Sequence, residues 1–290
     1  MGIGSEYRFH RDGRWNLLVF TQKWSRGLWA EVLDYLKDPA VSEHPQINRF
    51  RYPRGENGEE FFLKIYDRSR SFGAFKDTFR DSKAFRALRQ GISLSEHGFH
   101  VPLIIAAGEE RSFRFLKRAF LVSSAIKGVS LPQFLEEYAA IPVNVGNVRK
   151  KTEYIKKLAL ETRRLHQQGF IHGDLVPSNI VARVEKEEVT FFFIDNDRTR
   201  HYPGWFPNLL WKRNLVQLNR FALPGISLQD RMRFLHFYAG EKTWGKQNRG
   251  LIRWLEKKTR QRRAECEQIA SQDSFRELMR WKGRLSRYIK

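Results

Sequence analysis

The 290-residue sequence is poor in cysteine and has no long apolar run. Its single cysteine, Cys266, excludes an internal disulfide and a cysteine-based metal cluster, which fits a reducing compartment. No stretch approaches the roughly 20 apolar residues that a membrane-spanning helix requires. The first ten residues, MGIGSEYRFH, lack the apolar core of a secretory signal. We therefore expect the chain to remain in the cytoplasm.

Acidic residues are scarce relative to basic ones, with 32 Asp and Glu against 53 Lys and Arg and a net charge of +21. A large field of one sign attracts surfaces of the opposite sign, so the composition predicts an anionic partner. Nucleic acid, an anionic membrane face and a phosphorylated glycolipid all qualify, and charge alone does not choose among them. The hydrophobic content of 41% and the aromatic content of 14% are sufficient for a folded core.

Two polar clusters, each beside an apolar run, lie between Phe170 and Asp197. The first is HGDLVPSN at residues 172–179, and the second is IDND at residues 194–197. The second follows residues 189–193, a run that is apolar except for one threonine, as expected of a buried strand. A charged turn, EKEE, separates this run from a shorter apolar one. The pattern predicts a two-stranded hairpin with both polar loops at the same end.

The spacing inside these clusters is typical of phosphoryl transfer from a nucleotide. In kinase catalytic loops an Asp acts as base, an Asn five residues later binds metal, and another metal-binding Asp follows a hairpin. Asp174 and Asn179 have this spacing, and Asp195 stands after the hairpin. Taken singly, the three could cap a turn, bond the local backbone or end a strand. Taken together, they favour a site for ATP and Mg²⁺.

Lys64 lies in the apolar strand EFFLKIY and is the candidate contact for the nucleotide phosphates. A single lysine in a strand can equally lie at an edge and reach solvent. No GxGxxG loop precedes Lys64, although residues 42–46 could take that role. The basic helix expected downstream has Ala84 and Ala87 where an acidic partner should stand, and Glu96 lies too far along.

Two more strands are predicted at residues 101–107 and 120–123, with a turn at residues 108–110 after the first. Residues 122–125 would then form the hinge between two lobes. The backbone at this hinge, including Val122 and Ser124, is the candidate contact for adenine.

Apolar residues recur at helical spacing in residues 131–138 and 148–168, which predicts two helices. Gly169 is placed to end the second helix directly before the catalytic loop.

The sequence resembles the Kdo/heptose lipopolysaccharide kinase family, a branch of the protein-kinase-like fold. The resemblance rests on FFLKIYDR around Lys64, on the HGDLVPSN loop, on IDND and on the segment Trp211–Tyr238, and it covers most of residues 45–240. It implies an α+β, two-lobed fold, with a small, mainly β N-lobe at residues 1–122 and a larger, mainly helical C-lobe at residues 123–290.

The resemblance also implies ATP- and Mg²⁺-dependent phosphorylation of a heptose or Kdo hydroxyl in the lipopolysaccharide inner core, on the cytoplasmic face of the inner membrane. Carried over by position, Asp174 would be the base, Asn179 and Asp195 the Mg²⁺ ligands, and Lys64 the phosphate clamp. The candidates for contact with the substrate or a second metal are Asp197, Arg198 and His172.

The expected partners are the lipopolysaccharide core glycolipid and, peripherally, an anionic membrane surface, and no nucleic acid is expected. The basic segment at residues 249–263 contains Leu251, Trp254 and Leu255, which suits either an interfacial helix or a helix packed on the C-lobe. Two alternatives stay open. The chain could be a kinase of another acceptor, or it could be a non-catalytic module that binds anionic lipid or nucleic acid.

Overall fold

The structure, a computed structural model, describes residues 6–37, 46–67, 81–112, 115–139, 145–205, 209–221, 223, 225–240 and 246–271. The chain divides into two compact units. The first comprises residues 1–131, 170–174 and 178–203, and the second comprises residues 132–169, 175–177 and 204–290. The expected boundary after residue 122 stays a prediction, while the hairpin between the two polar loops groups with the N-terminal unit.

The first unit is built on a six-stranded antiparallel sheet. Its strands, in chain order, are β1 (Tyr7–Asp12), β2 (Trp15–Phe20), β3 (Gln46–Tyr52), β4 (Glu59–Asp67), β5 (Ile104–Ser112) and β6 (Phe115–Ser124). Their order across the sheet is β1-β2-β5-β6-β4-β3. The strand that carries Lys64 therefore lies beside β6. Of the predicted phosphate loop, only Gln46 lies within the described residues, and it begins β3.

Both faces of this sheet are covered. Successive residues of a strand point to opposite sides, so neighbours in β2 belong to different cores. Leu17 of β2 joins the core beneath helix α1 (Arg26–Lys37). Its neighbour Leu18 joins the core beneath helix α2 (Lys83–Glu96). This two-sided burial explains why β2 is an almost continuous apolar run.

The turn predicted at residues 108–110 is wrong, because these residues continue β5. Gly108 pairs with Phe120 of β6. A Cβ atom at Gly108 would lie 2.1 Å from the Phe120 ring and 2.8 Å from the Leu17 side chain. The glycine therefore makes room for a neighbouring aromatic ring instead of ending the strand.

The predicted hairpin is present in the first unit as β9 (Ile180–Glu185) and β10 (Glu188–Phe193). Strand β7 (Val129–Ser130) pairs with β9, and β8 (Phe170–Ile171) pairs with β11 (Arg200–His201). The turn of the hairpin has positive φ angles at both central residues, a conformation that matches the twist of the flanking strands.

The second unit is mainly helical. It contains α3 (Leu131–Ala139, apart from its first residue), α4 (Val145–Gln167), α5 (Trp211–Leu218), α6 (Leu228–Ala239) and α7 (Lys246–Ser271). Helices α4 to α7 share a buried core formed by Ala159, Leu215, Val216, Tyr238 and Leu255. As predicted, Gly169 follows α4, with a φ of 82°. Among the described residues, no helix is both long and apolar enough to cross a membrane.

Candidate active site

The β9–β10 hairpin brings the two polar loops side by side. Ile180 pairs with Phe193, so the residues just outside the hairpin, Asn179 and Ile194, are also neighbours. The backbone N–H of Ile194 donates to the carbonyl of Asn179 at 3.0 Å. The loop that contains Asp174 and the loop that contains Asp195 therefore start from one fixed point in the first unit.

Asn179 is held by the backbone of the residue that we expect to act as base. Its Nδ2 donates to the carbonyl oxygen of Asp174 at 2.9 Å. Because the two polar atoms of an amide diverge, this bond directs Oδ1 of Asn179 away from the loop backbone and leaves it as an acceptor. The Asp174 carboxylate is partly exposed, with Nη1 of Arg198 at 3.9 Å.

Lys64 and Asp195 form a direct ion pair in the first unit. Nζ of Lys64 lies 2.6 Å from Oδ1 of Asp195, and 5.2 Å from the centre of the Tyr66 ring. Asp195 has a left-handed backbone conformation with φ 61° and ψ 52°, which Asp tolerates better than most residues. The acid that pairs with Lys64 thus comes from the second polar loop, while Ala84 and Ala87 of α2 are buried in place of the missing helix acid.

Asp197 adds a second carboxylate beside Asp195. Burial raises the pKa of Asp197, and repulsion by Asp195 raises it further, against the lowering influence of Lys64, Arg198 and Lys83. Two neighbouring carboxylates repel each other, and a bound cation reduces this repulsion. The site therefore has the electrostatic character of a cation site.

Tyr66 belongs to this group, although sequence reasoning did not select it. It lies two residues after Lys64 on the same face of β4, and only 6% of it is exposed. Burial raises the pKa of its hydroxyl, and Asp197 and Asp195 raise it further. The period-two spacing from Lys64 was the signal that could have identified it.

The donor set fits Mg²⁺. Magnesium prefers oxygen ligands and is usually held by one or two carboxylates together with substrate phosphates. For such a metal, Asp195 and Asp197 would supply carboxylate oxygens, and Asn179 would supply an amide oxygen. Within the described part of the chain, no three His, Cys, Asp or Glu side chains are grouped to hold a metal by themselves. This set matches a metal shared with a nucleotide better than a closed protein site.

His172 is fully buried. Its Nε2 lies 3.0 Å from the carbonyl of Ile194, and burial lowers its pKa. The hydroxyl of Thr199 donates to the carbonyl of His172 at 3.2 Å. These bonds tie the two polar loops together. Contact of His172 with substrate stays a prediction that its burial does not favour.

Val122 lies within β6 and Ser124 is the last residue of that strand, so both belong to the sheet. Val122 is fully buried between β4 and β5, opposite Leu63 and Ala106. The N–H of Ser124 donates to the carbonyl of Leu103 at 2.8 Å. Their role as adenine contacts stays a prediction that these sheet contacts do not favour.

The β-sheet unit, the helical unit and this group of side chains define a kinase-like protein. The chain belongs to the lipopolysaccharide kinase (Kdo/WaaP) family, whose model matches residues 54–238. A solved structure described as WaaP in complex with acyl carrier protein has the same fold, with a TM-score of 0.56 and 21% identity over 77% of this chain and 86% of that one. The predicted α+β, kinase-like fold is therefore confirmed.

Among characterised sequences, the chain is similar to 3-deoxy-D-manno-octulosonic acid kinase of Mannheimia succiniciproducens. The two are 30% identical over 174 residues, which is 57% of this chain and 65% of the relative. The match thus spans slightly less than two thirds of the relative's length. 

Proposed function

We propose that the chain is an ATP-dependent kinase that phosphorylates a sugar hydroxyl of the lipopolysaccharide inner core. The observation that carries this proposal is the convergence of Lys64, Asp195, Asn179 and Asp174 in one unit. Lys64 reaches Asp195 across 131 residues of sequence, and Asn179 is bonded to the backbone of Asp174. Membership of the lipopolysaccharide kinase family supports the choice of acceptor.

Each side chain has a distinct role in this proposal. Asp174 accepts the proton of the attacking sugar hydroxyl, because its carboxylate is partly exposed and so accessible to the acceptor. Lys64 binds the phosphates of ATP, exchanging its contact with Asp195 for one with the nucleotide. Arg198, with a mostly exposed side chain, is placed to attract an anionic acceptor. Little covalent chemistry remains for the protein, so position and charge supply most of the rate enhancement.

Asn179 and Asp195 would hold Mg²⁺, with Asp197 as a second carboxylate. When bound, Mg²⁺ would neutralise charge on the phosphates of ATP. The mutual repulsion of Asp195 and Asp197 supports this assignment, since a cation between them removes it.

Kdo is the favoured acceptor, because the similar Mannheimia protein is described as a kinase of this sugar. Kdo carries a carboxylate, which suits a chain with a net charge of +21. A heptose of the same inner core is the alternative acceptor.

We also infer that the chain works at the inner face of the inner membrane through peripheral, electrostatic contact. Helix α7 packs on the core of the second unit through Leu251 and Leu255, so its apolar side is covered. Its cationic side faces solvent, and Trp254 is 37% exposed beside it. This arrangement supports attraction to anionic headgroups rather than deep insertion.

The proposal is tested with purified protein and, separately, in cells. Purified protein should transfer the terminal phosphate of ATP to a Kdo-bearing lipopolysaccharide precursor, and a heptose-bearing precursor separates the two acceptors. Lipopolysaccharide from cells in which the gene is deleted, restored, or restored as Asp195→Ala is compared by mass spectrometry. A core phosphate that disappears on deletion and returns only with the intact chain supports the proposal. An unchanged core in all three strains contradicts it.

ATP hydrolysis separates an enzyme from a non-catalytic binding module. The wild-type chain and Asp174→Ala are compared with and without acceptor. Equal rates in both would remove the case for catalysis and favour a module that binds anionic lipid or nucleic acid.

A further inference from the structure

A chain of hydrogen bonds in the second unit ends on the catalytic loop. The backbone N–H of Leu175 donates to Oε1 of Gln217 at 3.2 Å. The same Oε1 accepts from Nδ2 of Asn214 at 2.9 Å. Oδ1 of Asn214 lies 3.1 Å from Nε2 of His166, and Nδ1 of His166 lies 2.9 Å from the hydroxyl of Tyr238. The chain joins the loop to α5, α4 and α6 in turn.

The directions of the bonds from Leu175 to His166 follow from the first member. A backbone N–H can only donate, so the atom that faces Leu175 must be the oxygen of Gln217. Asn214 must then present its NH₂ group to that oxygen and its own oxygen to His166. The Nε2 of His166 is therefore a donor, and in the neutral ring its Nδ1 accepts from the hydroxyl of Tyr238. Burial raises the pKa of Tyr238, which keeps its hydroxyl protonated as this order requires.

The members of the chain are buried or partly buried, and Gln217 and His166 are the partly buried ones. Asn214 and Leu175 are fully buried, and Tyr238 is nearly so. A buried polar group that loses its hydrogen-bond partner costs free energy, because water does not replace that partner. Each bond therefore restricts the orientation of the side chains on either side of it. The hydrogen bond from Asn214 therefore holds the Gln217 amide in one orientation, with its Oε1 as the acceptor for the backbone N–H of Leu175.

We propose that Gln217 is a positioning residue for catalysis, and that Asn214 orients it. Leu175 directly follows Asp174, so the bond to Gln217 fixes the peptide unit next to the catalytic carboxylate. This inference rests on the proposed function, in which Asp174 is the base. Small displacements of a catalytic group reduce the rate by up to about 100-fold even when binding is intact. Loss of Gln217 should therefore lower kcat more than it changes substrate binding.

The experiment compares two substitutions at one position. Gln217→Leu keeps a similar volume but removes the acceptor, so kcat should fall by about 10- to 100-fold, with KM for ATP and acceptor within about twofold. Gln217→Glu keeps an oxygen for Leu175 and Asn214, so most of the lost kcat should return. Gln229→Leu, an exposed glutamine of α6, is the matched control and should have wild-type kinetics.

A second readout separates positioning from stability. Hydrogen exchange at the Leu175 amide should be faster in Gln217→Leu than in the wild type, at a temperature where both are folded. Wild-type kcat in folded Gln217→Leu, or a loss that Gln217→Glu does not restore, would overturn the inference while leaving the proposed function intact. Absence of phosphate transfer by the wild-type chain itself would instead overturn the proposed function, and the catalytic role of Gln217 with it.

Discussion

The ammonium group of Lys64 lies 2.6 Å from the carboxylate of Asp195, although 131 residues of sequence separate them. The side chains are only 19% and 35% exposed, so solvent screens this pair less than a surface ion pair. Lys64 therefore has two roles in the first unit. It offsets the charge of Asp195 and Asp197, and in the proposed function it also binds the phosphates of ATP.

Lys64→Met should lower kcat/KM for ATP by about 100- to 1,000-fold, because it removes a preorganised positive charge from the reacting phosphates. The melting temperature should also fall, because the substitution leaves the partly buried carboxylate of Asp195 without its cation. Single-turnover phosphate transfer and thermal melting of both proteins measure the two effects. Activity within twofold of wild type would show that Lys64 does not contact the nucleotide.

Asp174→Asn should lower kcat by about 100- to 10,000-fold, the range that general-base catalysis supplies. Binding of ATP should be unchanged, because in the proposed function this carboxylate contacts the acceptor hydroxyl and not the nucleotide. Asp34→Asn, at an exposed aspartate of α1, provides the control for the loss of one carboxylate. Equal turnover by Asp174→Asn and Asp34→Asn would exclude Asp174 as the base.

Gly173→Ala should separate the two polar loops. Gly173 has a φ of 78°, and a Cβ atom there would lie 2.5 Å from the backbone oxygen of Arg198. Gly13→Ala is the matched control, since Gly13 also has a positive φ, of 54°, but nothing lies within 4 Å of an added Cβ. Both variants should lose about 1–2 kcal/mol of stability from the backbone conformation alone.

Only Gly173→Ala should also lose activity, by about 10- to 100-fold in kcat, because the loops carry the catalytic groups. Kinetic constants measured below the melting temperature of both variants test this difference. If Gly13→Ala loses as much kcat as Gly173→Ala, the close approach of the loops is irrelevant to catalysis.

Asp230→Asn should destabilise the protein at neutral pH and much less in acid. Asp230 is buried, which opposes its charge, but hydrogen bonds from Lys151 at 2.6 Å and from Ser227 lower its pKa overall. When folding lowers the pKa of a carboxyl group, its charge stabilises the folded protein at pH values above the pKa of the unfolded state. This stabilisation is lost as the pH falls through the pKa of the folded state. Removing one partner of a buried ion pair lowers the free energy of unfolding by about 3–5 kcal/mol.

Denaturant unfolding of the wild type and Asp230→Asn from pH 7 down to pH 3 measures this dependence. The difference in free energy of unfolding should be largest near pH 7 and should shrink below the ordinary pKa of Asp, 3.8. A difference that is independent of pH would mean that the charge of Asp230 contributes nothing.

Binding to vesicles that contain anionic lipid should depend on salt and on α7. Replacing Arg249, Arg253 and Lys257 by glutamine removes three exposed cations one turn apart, and each is worth about 1 kcal/mol near an anionic surface. Affinity should fall by about 100-fold at low salt, and less at 0.15 M, where screening limits the reach of charge to about 8 Å.

The control removes the same charge elsewhere, at Arg8, Arg11 and Arg14 of the β1–β2 hairpin, which are also exposed. Sedimentation with vesicles at two salt concentrations compares the two variants. Equal losses would indicate a response to net charge, and salt-independent binding would point to insertion through Trp254.

Local patterns were sufficient to predict much of the fold. The β9–β10 hairpin and helices α3 and α4 were expected because their apolar residues recur at the period of the element that they form. Gly108 shows where such reasoning fails. Its place in a strand depends on Phe120 and Leu17, which approach it only after folding, so a glycine followed by two acids was interpreted as a turn.

The candidate site shows the same division between local and distant information. Asp174, Asn179 and Asp195 were selected because their spacing along the chain is short and specific. The acid that pairs with Lys64 could not be found in this way, because the expected helix position holds alanine and the partner comes from a distant loop. Gln217 was missed for a related reason, since its contact with the Leu175 backbone depends on how α5 packs.

The ion pair between Lys64 and Asp195 also bears on the choice of inhibitors. A neutral heterocycle that separates the pair leaves two partly buried charges without partners, which opposes binding. An acidic group that binds together with a divalent cation would pair with Lys64, while the cation offsets the charge of Asp195 and Asp197. Compound libraries rich in carboxylates and phosphonates are therefore the better source of leads against this protein than libraries of flat, uncharged adenine mimics.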